Sequence, residues 1–250
     1  MLLNLRLTME SGQPPEFLWQ RRGSRYFRML ETRAELWQEG GKLRYSGCSH
    51  EYVRRMLRLG DELEEIYGVL CRDEVLSRAV RSFRGLRLTL SDPWETLVAF
   101  LCSVNSNIPR IKRCVQAIMG MAGGRMPAPE VLVEAELKHA RLGFREKFIR
   151  RSAAMVAEGA LYGIEKLDFQ EAKRELMNLP GVGEKVAECV LLFGYGFLEA
   201  FPVDVWIARA MRHYFGVAPR RIASFAERWE PYQGYAQQYL YMLAREELKP

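Results

Sequence analysis

The chain has 250 residues, 48% of them hydrophobic, so it can bury one sizeable core or two smaller ones. Its 37 basic and 31 acidic residues give a formal net charge of +6, which suits a polyanionic partner or an ordinary solvated surface. The start of the chain, MLLNLRLTMESG, lacks a charged leader followed by an apolar run, and no stretch of about 18 apolar residues occurs. We therefore expect an intracellular, cytoplasmic protein without a membrane span.

Cysteine and histidine spacing gives no sign of a metal site. The cysteines are odd in number and show no CxxC spacing, which argues against a disulfide framework and a cysteine-ligated metal. The histidines also lack metal-ligand spacing. These residues are Cys48, Cys71, Cys102, Cys114, Cys189, His50, His139 and His213. We predict reduced thiols and no bound metal.

The first 47 residues are predicted to form a small antiparallel sheet. Leu3, Leu5 and Leu7 alternate with polar residues, which is the period of a half-buried strand. The stretches EFLWQRRGSRYFRML and AELWQEGGKLRYS predict strands that turn at RRGS and EGGK. Helical spacing begins near His50, and one more strand is expected at GLRLTL, residues 85–90. Residues 1–90 are thus predicted to form an N-terminal sheet domain with helices.

From residue 91 to residue 250 the apolar spacing is mainly helical. Asp92 is a candidate N-cap, Pro93 occupies the first helical position, and Glu95 completes a capping box. Pro109 opens a further helix that the interhelical loop GGRMPAP ends. The predicted fold class is α+β, with a sheet domain followed by a helical region.

A helix-hairpin-helix is predicted over residues 169–194. Phe169, Ala172, Leu176 and Leu179 line one side of the first helix, and Val182, Val186, Val190 and Phe193 line one side of the second. Between them PGVG is a tight turn, which would present the backbone N–H groups of Gly181, Val182 and Gly183 to a phosphate. Taken alone, the pattern fits a simple glycine-containing turn equally well.

Lys185 and Asp204 follow this hairpin and form a candidate catalytic pair. Lys185 lies in the first turn of a helix, where the helix dipole disfavours an ammonium group. This field and partial desolvation would keep part of the population as a neutral, nucleophilic amine; the alternative is a phosphate contact. Asp204 is typical of an N-cap, a role compatible with stabilising a nearby cationic centre. The pair suggests amine attack at a carbon that develops positive charge.

The pattern LPGVGEK…PVDVW resembles the helix-hairpin-helix DNA glycosylase superfamily, and within it the 8-oxoguanine DNA glycosylases. Four further stretches support the resemblance: SGQPPEFLW, FLCSVNSNIPRI, LGFREKF and GYAQQYL. It implies a TBP-like N-terminal sheet and a monomeric glycosylase and AP lyase. Such an enzyme would act on duplex DNA containing 8-oxoguanine through a lysine Schiff base, in the nucleoid or, in a eukaryote, the nucleus. It implies no cofactor, and at most a structural monovalent cation held by hairpin carbonyls.

The resemblance also assigns roles to individual residues. The implied catalytic residues are Lys185 and Asp204; the base pocket is Gly12, Cys189, Gln237 and Tyr241; the wedge and opposite-base residues are Asn105, Arg110, Phe144 and Arg145. Judged singly, these residues fit ordinary structural roles, such as a helix cap for the asparagine, surface charges for the arginines and a core position for the phenylalanine.

Three positions depart from the family pattern, two other functions stay open, and a further one is disfavoured. Ser106, Tyr241 and Trp206 stand where the family often has asparagine, phenylalanine and histidine. One alternative is a monofunctional glycosylase for another damaged base, which would use the aspartate with water and need no amine. An iron-sulfur enzyme resembling endonuclease III is disfavoured because no cysteine follows Cys189. The third alternative is a non-catalytic DNA-binding module.

Overall fold

The computed structural model describes residues 2–248. A four-stranded antiparallel sheet lies within the first 46 residues, and helices form most of the remainder. The strands are β1 (Gln20–Arg22), β2 (Arg25–Met29), β3 (Arg33–Glu39) and β4 (Lys42–Ser46). The helices are α1 (Leu5–Met9), α2 (Pro14–Leu18), α3 (His50–Met56), α4 (Leu63–Leu70), α5 (Glu74–Ser82), α6 (Pro93–Ser103), α7 (Ile108–Gly120), α8 (Pro129–Glu134), α9 (Arg145–Ala157), α10 (Phe169–Met177), α11 (Glu184–Val190), α12 (Val205–Phe215), α13 (Ile222–Ala226) and α14 (Gln233–Glu247).

Helix α1 occupies Leu5–Met9, where a strand was predicted, so the prediction for Leu3, Leu5 and Leu7 is wrong. The side chain of Asn4 accepts the N–H of Leu7 (3.1 Å) and thereby caps α1. Leu5 and Met9, one helical turn apart, are both buried. In a segment this short, the hydrogen bond to the Asn4 cap favours a helix more than the alternation of apolar and polar residues favours a strand.

The predicted hairpins of the sheet are present, in the order β1-β2-β3-β4. The turn between β3 and β4 places Gly40 and Gly41 at positive φ (54° and 75°), as a tight two-residue hairpin requires. The first predicted strand began too early, because Glu16 belongs to the proline-initiated helix α2. The sheet buries one face through alternate residues, such as Ala34 and Leu36 of β3.

Gly85 is a turn residue at positive φ and residues 86–90 belong to no helix or strand, so the strand predicted at GLRLTL is also wrong. Side chains take the place of a neighbouring strand. The hydroxyl of Thr8 accepts the N–H of Arg87 (3.1 Å), and the amide oxygen of Gln13 accepts the N–H of Thr89 (2.8 Å). These hydrogen bonds consequently hold the segment against Thr8 and Gln13, which lie on either side of Gly12.

Helix α6 begins at the predicted cap, but its capping box is only half formed. Asp92 accepts the N–H groups of Trp94 (2.9 Å) and Glu95 (3.2 Å). The carboxylate of Glu95 instead accepts two hydrogen bonds from the guanidinium of Arg28 on β2 (2.6 and 3.1 Å). A charge-assisted bidentate pair is stronger than a neutral cap bond. Glu95 therefore ties the sheet to the helical region.

The predicted helix-hairpin-helix comprises α10, the turn at residues 178–183 and α11. Ala172 and Leu176 are buried on α10, and Val186 and Val190 are buried on α11. After α11 the chain makes a π-helical turn, Leu191–Tyr195. The two helices thus pack face to face as their apolar stripes indicated.

Helix α14 packs against both the N-terminal segment and the helical region. The hydroxyl of Tyr239 lies 2.8 Å from that of Tyr67 on α4, and Gln238 donates to the carbonyl of Ser11 (2.8 Å). One cluster of buried side chains runs from Leu3 to Leu243. The domain boundary at residue 90 stays a prediction. No helix within residues 2–248 has the length and apolar character needed to cross a membrane.

Candidate active site

The hairpin presents unpaired backbone groups at the start of α11. Gly181 has a φ of +83°, and a Cβ there would lie 2.6 Å from the ring of Phe148, so only glycine fits. Gly183 is extended, and a Cβ there would meet no atom within 4 Å. Within the described chain, the N–H groups of Gly183, Glu184 and Lys185 donate to no acceptor. This arrangement is suited to an anion.

Lys185 extends from the first turn of α11 toward the end of α6. Its Nζ donates to the Oγ of Ser103 (3.1 Å) and lies 4.9 Å from the ring centroid of Phe100. The Ser103 hydroxyl in turn donates to the carbonyl of Phe100 (2.7 Å). Among residues 2–248, Lys185 forms no ion pair. The amine is therefore held by one neutral hydroxyl and an aromatic face.

Asp204 is the N-cap of α12, and its burial affects its charge. Oδ1 accepts the N–H groups of Trp206 (3.0 Å) and Ile207 (2.9 Å). Burial raises the pKa of Asp204 above its usual range, while the Ile207 N–H and then the charge of Lys185 oppose that rise. The capping interpretation is confirmed, and Lys185 is close enough to act on this carboxyl.

Lys185 and Asp204 share a cavity of about 890 Å³, within the usual range of ligand pockets. Nine of the predicted site residues line it: Gly12, Asn105, Gly181, Gly183, Lys185, Cys189, Asp204, Gln237 and Tyr241. Four predicted site residues are not part of its wall: Arg110, Phe144, Arg145 and Val182. The fold therefore brings together segments from the first, middle and last parts of the chain.

The predicted base-pocket residues approach one another in this cavity. Gln237 donates through Nε2 to the carbonyl of Pro202 (3.1 Å), whereas its buried Oε1 has no partner among the described residues. Burial raises the pKa of the Cys189 thiol to about 12, so this group is a neutral thiol. Tyr241 lies over Gly12, where an added Cβ would be 2.7 Å from its hydroxyl oxygen.

Arg145 does not extend from the protein surface. It is 2% exposed, and its guanidinium donates to the carbonyls of Val104 (2.7 Å), Asn105 (2.7 Å) and Leu142 (3.2 Å). Asn105 itself adopts a left-handed backbone, with φ of 47°. In this conformation Arg145 fixes the loop that carries Asn105.

Phe144 and Arg110 are both exposed beyond the cavity wall. Phe144 is 47% exposed, packs edge-on against Phe148 (6.0 Å between centroids) and lies 4.5 Å from the guanidinium carbon of Arg145. Arg110 follows Asn107, whose side chain caps α7 by accepting the Arg110 N–H (3.0 Å). Their roles as wedge and opposite-base residues stay predictions.

Several cavity residues were not predicted from the sequence: Phe100, Ser103, Gln238 and Arg245. Ser103 and Phe100 belong to α6, so their contact with Lys185 depends on a helix far away in the sequence. Phe100, Ser103 and Gln238 lie within stretches that support the family resemblance, but those stretches do not indicate which of their residues contact the cavity. Ser106, noted as a departure from the family pattern, has a buried hydroxyl without a partner in the described chain.

Metal-ligating groups do not cluster in residues 2–248: nowhere do three His, Cys, Asp or Glu side chains meet as candidate ligands. The five cysteines are free thiols in this structure. In the described hairpin the carbonyl oxygens of Gly181 and Val182 accept no hydrogen bond, whereas that of Pro180 accepts the hydroxyl of Ser152 (3.1 Å). Two oxygens of the type that a monovalent cation prefers are thus available.

Comparison with known proteins identifies the fold and family. The family profile described as "8-oxoguanine DNA glycosylase, N-terminal domain" matches residues 2–97. The structure of MBOgg1 with a low-affinity DNA ligand is 32% identical, with a TM-score of 0.92, over 99% of this chain and 93% of that one. The 8-oxoguanine glycosylase/lyase of Clostridium acetobutylicum with duplex DNA is 28% identical, with a TM-score of 0.90 and the same coverage.

Curated relatives give the same result. A probable N-glycosylase/DNA lyase of Methanothermobacter thermautotrophicus is 29% identical over 97% of this chain and 93% of its own length. The chain spans only 55% of the N-glycosylase/DNA lyase of Arabidopsis thaliana. The fold is that of the helix-hairpin-helix DNA glycosylases. The chain belongs to the 8-oxoguanine DNA glycosylase family, as the sequence resemblance predicted.

Proposed function

We propose that this protein binds duplex DNA, excises 8-oxoguanine and then cleaves the strand by β-elimination. One observation carries the proposal: Lys185, which forms no ion pair in the described chain, shares with Asp204 a cavity large enough for an extruded base. A monofunctional enzyme that activates water would need only the carboxylate. The amine therefore favours the bifunctional reaction.

Lesion recognition is assigned to Gly12 and Gln237. Guanine accepts a hydrogen bond at N7, whereas 8-oxoguanine carries a proton there. The Gly12 carbonyl, which accepts no hydrogen bond in residues 2–248, would bind that proton and oppose the lone pair of guanine. A buried mismatch of this kind costs roughly 1–3 kcal/mol. The unpartnered Oε1 of Gln237 would accept an N–H group from the Watson–Crick edge of the base.

The chemistry is assigned to Lys185 and Asp204. The nitrogen lone pair of Lys185 attacks C1′, the bond to the base breaks, and the base departs with a proton that the new C1′ amine releases. Asp204 stabilises the positive charge that develops on the sugar. O4′ then leaves C1′ and takes the remaining N–H proton of the C1′ amine, which gives a Schiff base. Loss of a C2′ proton and of the 3′ phosphate then cleaves the strand.

DNA contacts are assigned around the cavity. The N–H groups from Gly183 onward would bind a phosphate, and Phe144 would replace the extruded nucleotide in the stack, against an unstacking cost of about a few kcal/mol. Arg110, on α7, and Asn105 would approach the opposite base, with Arg145 holding the loop that carries Asn105. We propose a monomer whose reaction uses no organic cofactor or metal. A structural monovalent cation at the hairpin carbonyls remains part of the proposal.

Product analysis with a duplex containing one 8-oxoguanine tests the function. The wild type is expected to release the base and cleave the strand without alkali. Lys185→Gln is expected to reduce both to background, and Lys166→Gln, which makes the same charge change at an exposed residue that does not line the cavity, is expected to match the wild type. Base release followed by cleavage only in alkali would support the monofunctional alternative. Neither product would support a DNA-binding module.

A further inference from the structure

A short turn at residues 11–13, which we call the recognition turn, places Gly12 in the wall of the cavity. Three side chains hold it. Gln238 donates to the carbonyl of Ser11 (2.8 Å), and Gln13 donates to the hydroxyl of Ser11 (2.9 Å). Glu16 accepts the N–H of Gly12 at 2.6 Å through Oε2. The glutamate is the only charged group of the three.

The direction of the Gly12 carbonyl depends on this anchoring. Gly12 has a φ of +78°, a region that glycine enters and leaves at little cost. The carbonyl oxygen accepts no hydrogen bond from the described residues, so no contact of its own fixes it. The N–H of the same residue, bound by Glu16, therefore helps to fix the backbone that sets the orientation of this carbonyl.

Glu16 reaches the recognition turn from a second cavity of about 410 Å³. Arg245 and Lys112 also line that cavity, and Arg245 lines the wall of the active-site cavity as well. Burial raises the pKa of the Glu16 carboxyl, and the Gly12 N–H, then Arg245 and Lys112, oppose the rise. A hydrogen bond to a partly buried carboxylate is stronger than one between neutral groups.

We propose that Glu16 is a positioning residue for lesion recognition, whose carboxylate holds the Gly12 N–H so that the Gly12 carbonyl faces N7 of the extruded base. This role rests on the proposed function. It adds Glu16, on helix α2, to the residues that determine which base the active site accepts. Glu16 does not line the active-site cavity, whereas Lys185 and Asp204 do, on α11 and α12. Loss of its hydrogen bond should therefore impair base recognition and leave the lysine chemistry intact.

The test compares two rates in each preparation: single-turnover release of 8-oxoguanine, and cleavage at a preformed abasic site, which contains no base to recognise. Both rates scale with the amount of folded protein, so their ratio does not depend on the folded fraction of the preparation. Glu16→Asp keeps the charge but is one methylene too short to reach the Gly12 N–H, and Glu16→Gln keeps the length and an acceptor oxygen. Glu10→Gln, in the same second cavity, is the matched control.

Glu16→Asp is expected to lower the ratio of base release to abasic-site cleavage by about tenfold or more, as expected for loss of a charge-assisted hydrogen bond. Glu16→Gln should retain the ratio within about threefold, and Glu10→Gln should leave it unchanged. An unchanged ratio in Glu16→Asp, or a loss in Glu16→Gln with none in Glu16→Asp, would overturn the positioning role while leaving the proposed function intact. A wild type that cleaves abasic sites but releases no 8-oxoguanine would overturn both.

Discussion

Asp204 combines a structural and a proposed chemical role in one carboxylate. Its Oδ1 caps α12, and Lys185 affects its charge across the cavity. Because burial raises its pKa, ionisation is less favourable in the folded protein than in the unfolded chain. The ionised form therefore costs stability above that pKa, while the proposed reaction requires the ionised form.

Asp204→Asn separates the two roles. Asparagine caps a helix about as well as aspartate and carries no buried charge, so the unfolding midpoint at pH 7 should equal or exceed that of the wild type. Base release should fall by about 10²-fold or more, because charge stabilisation is lost. The wild-type rate should also fall as pH drops through the raised pKa of Asp204. Calorimetry measures the unfolding midpoint, and a pH–rate profile measures base release. A free energy of unfolding lowered by as much as the activation free energy of base release is raised would favour a purely structural role.

At the scale of elements, the hairpin has two glycines with different requirements. Gly181 needs its left-handed backbone and packs directly on Phe148, whereas Gly183 is extended and borders open space in the cavity. Both glycines are visible in the sequence, but their distinct roles depend on α9, which supplies Phe148. The sequence predicted the turn and not what touches it.

Alanine at each hairpin position should have a different effect. Gly181→Ala should lower the free energy of unfolding by about 2 kcal/mol or more, from backbone strain and the contact with Phe148. Gly183→Ala should change it by less than about 1 kcal/mol yet weaken duplex binding by about tenfold, because the methyl occupies the proposed phosphate site. Urea unfolding and fluorescence anisotropy measure the two quantities. Similar effects of both variants on stability and affinity would contradict this distinction.

At the scale of the whole molecule, signals within one or two helical turns were predictable and distant contacts were not. The hairpin, the cap at Asp92 and the strand turns follow from local residue types. The strands predicted at residues 2–8 and 85–90 failed because side chains of Asn4, Thr8 and Gln13 satisfy the backbone there. The alternation of apolar and polar residues, from which those strands were predicted, does not report hydrogen bonds from side chains to the backbone.

The candidate site shows the same limit. Lys185 and Asp204 were identified from their motif, but Ser103, which holds the amine, lies 82 residues earlier in the chain. Gln238 and Ser11, which bring the recognition turn to the cavity, are separated by 227 residues. Packing of α11 against α6 joins Lys185 to Ser103, and packing of α14 against the N-terminal segment joins Gln238 to Ser11. The sequence therefore indicated the chemistry more readily than the surroundings that control it.

The most direct test of the central claim is reductive trapping with borohydride on a duplex containing 8-oxoguanine. The wild type and Lys166→Gln are expected to form a covalent protein–DNA adduct, and peptide mass spectrometry should locate it at Lys185. Lys185→Gln should form none. An adduct in Lys185→Gln, an adduct at another residue, or no adduct with an active wild type would contradict the assignment of Lys185 as the nucleophile.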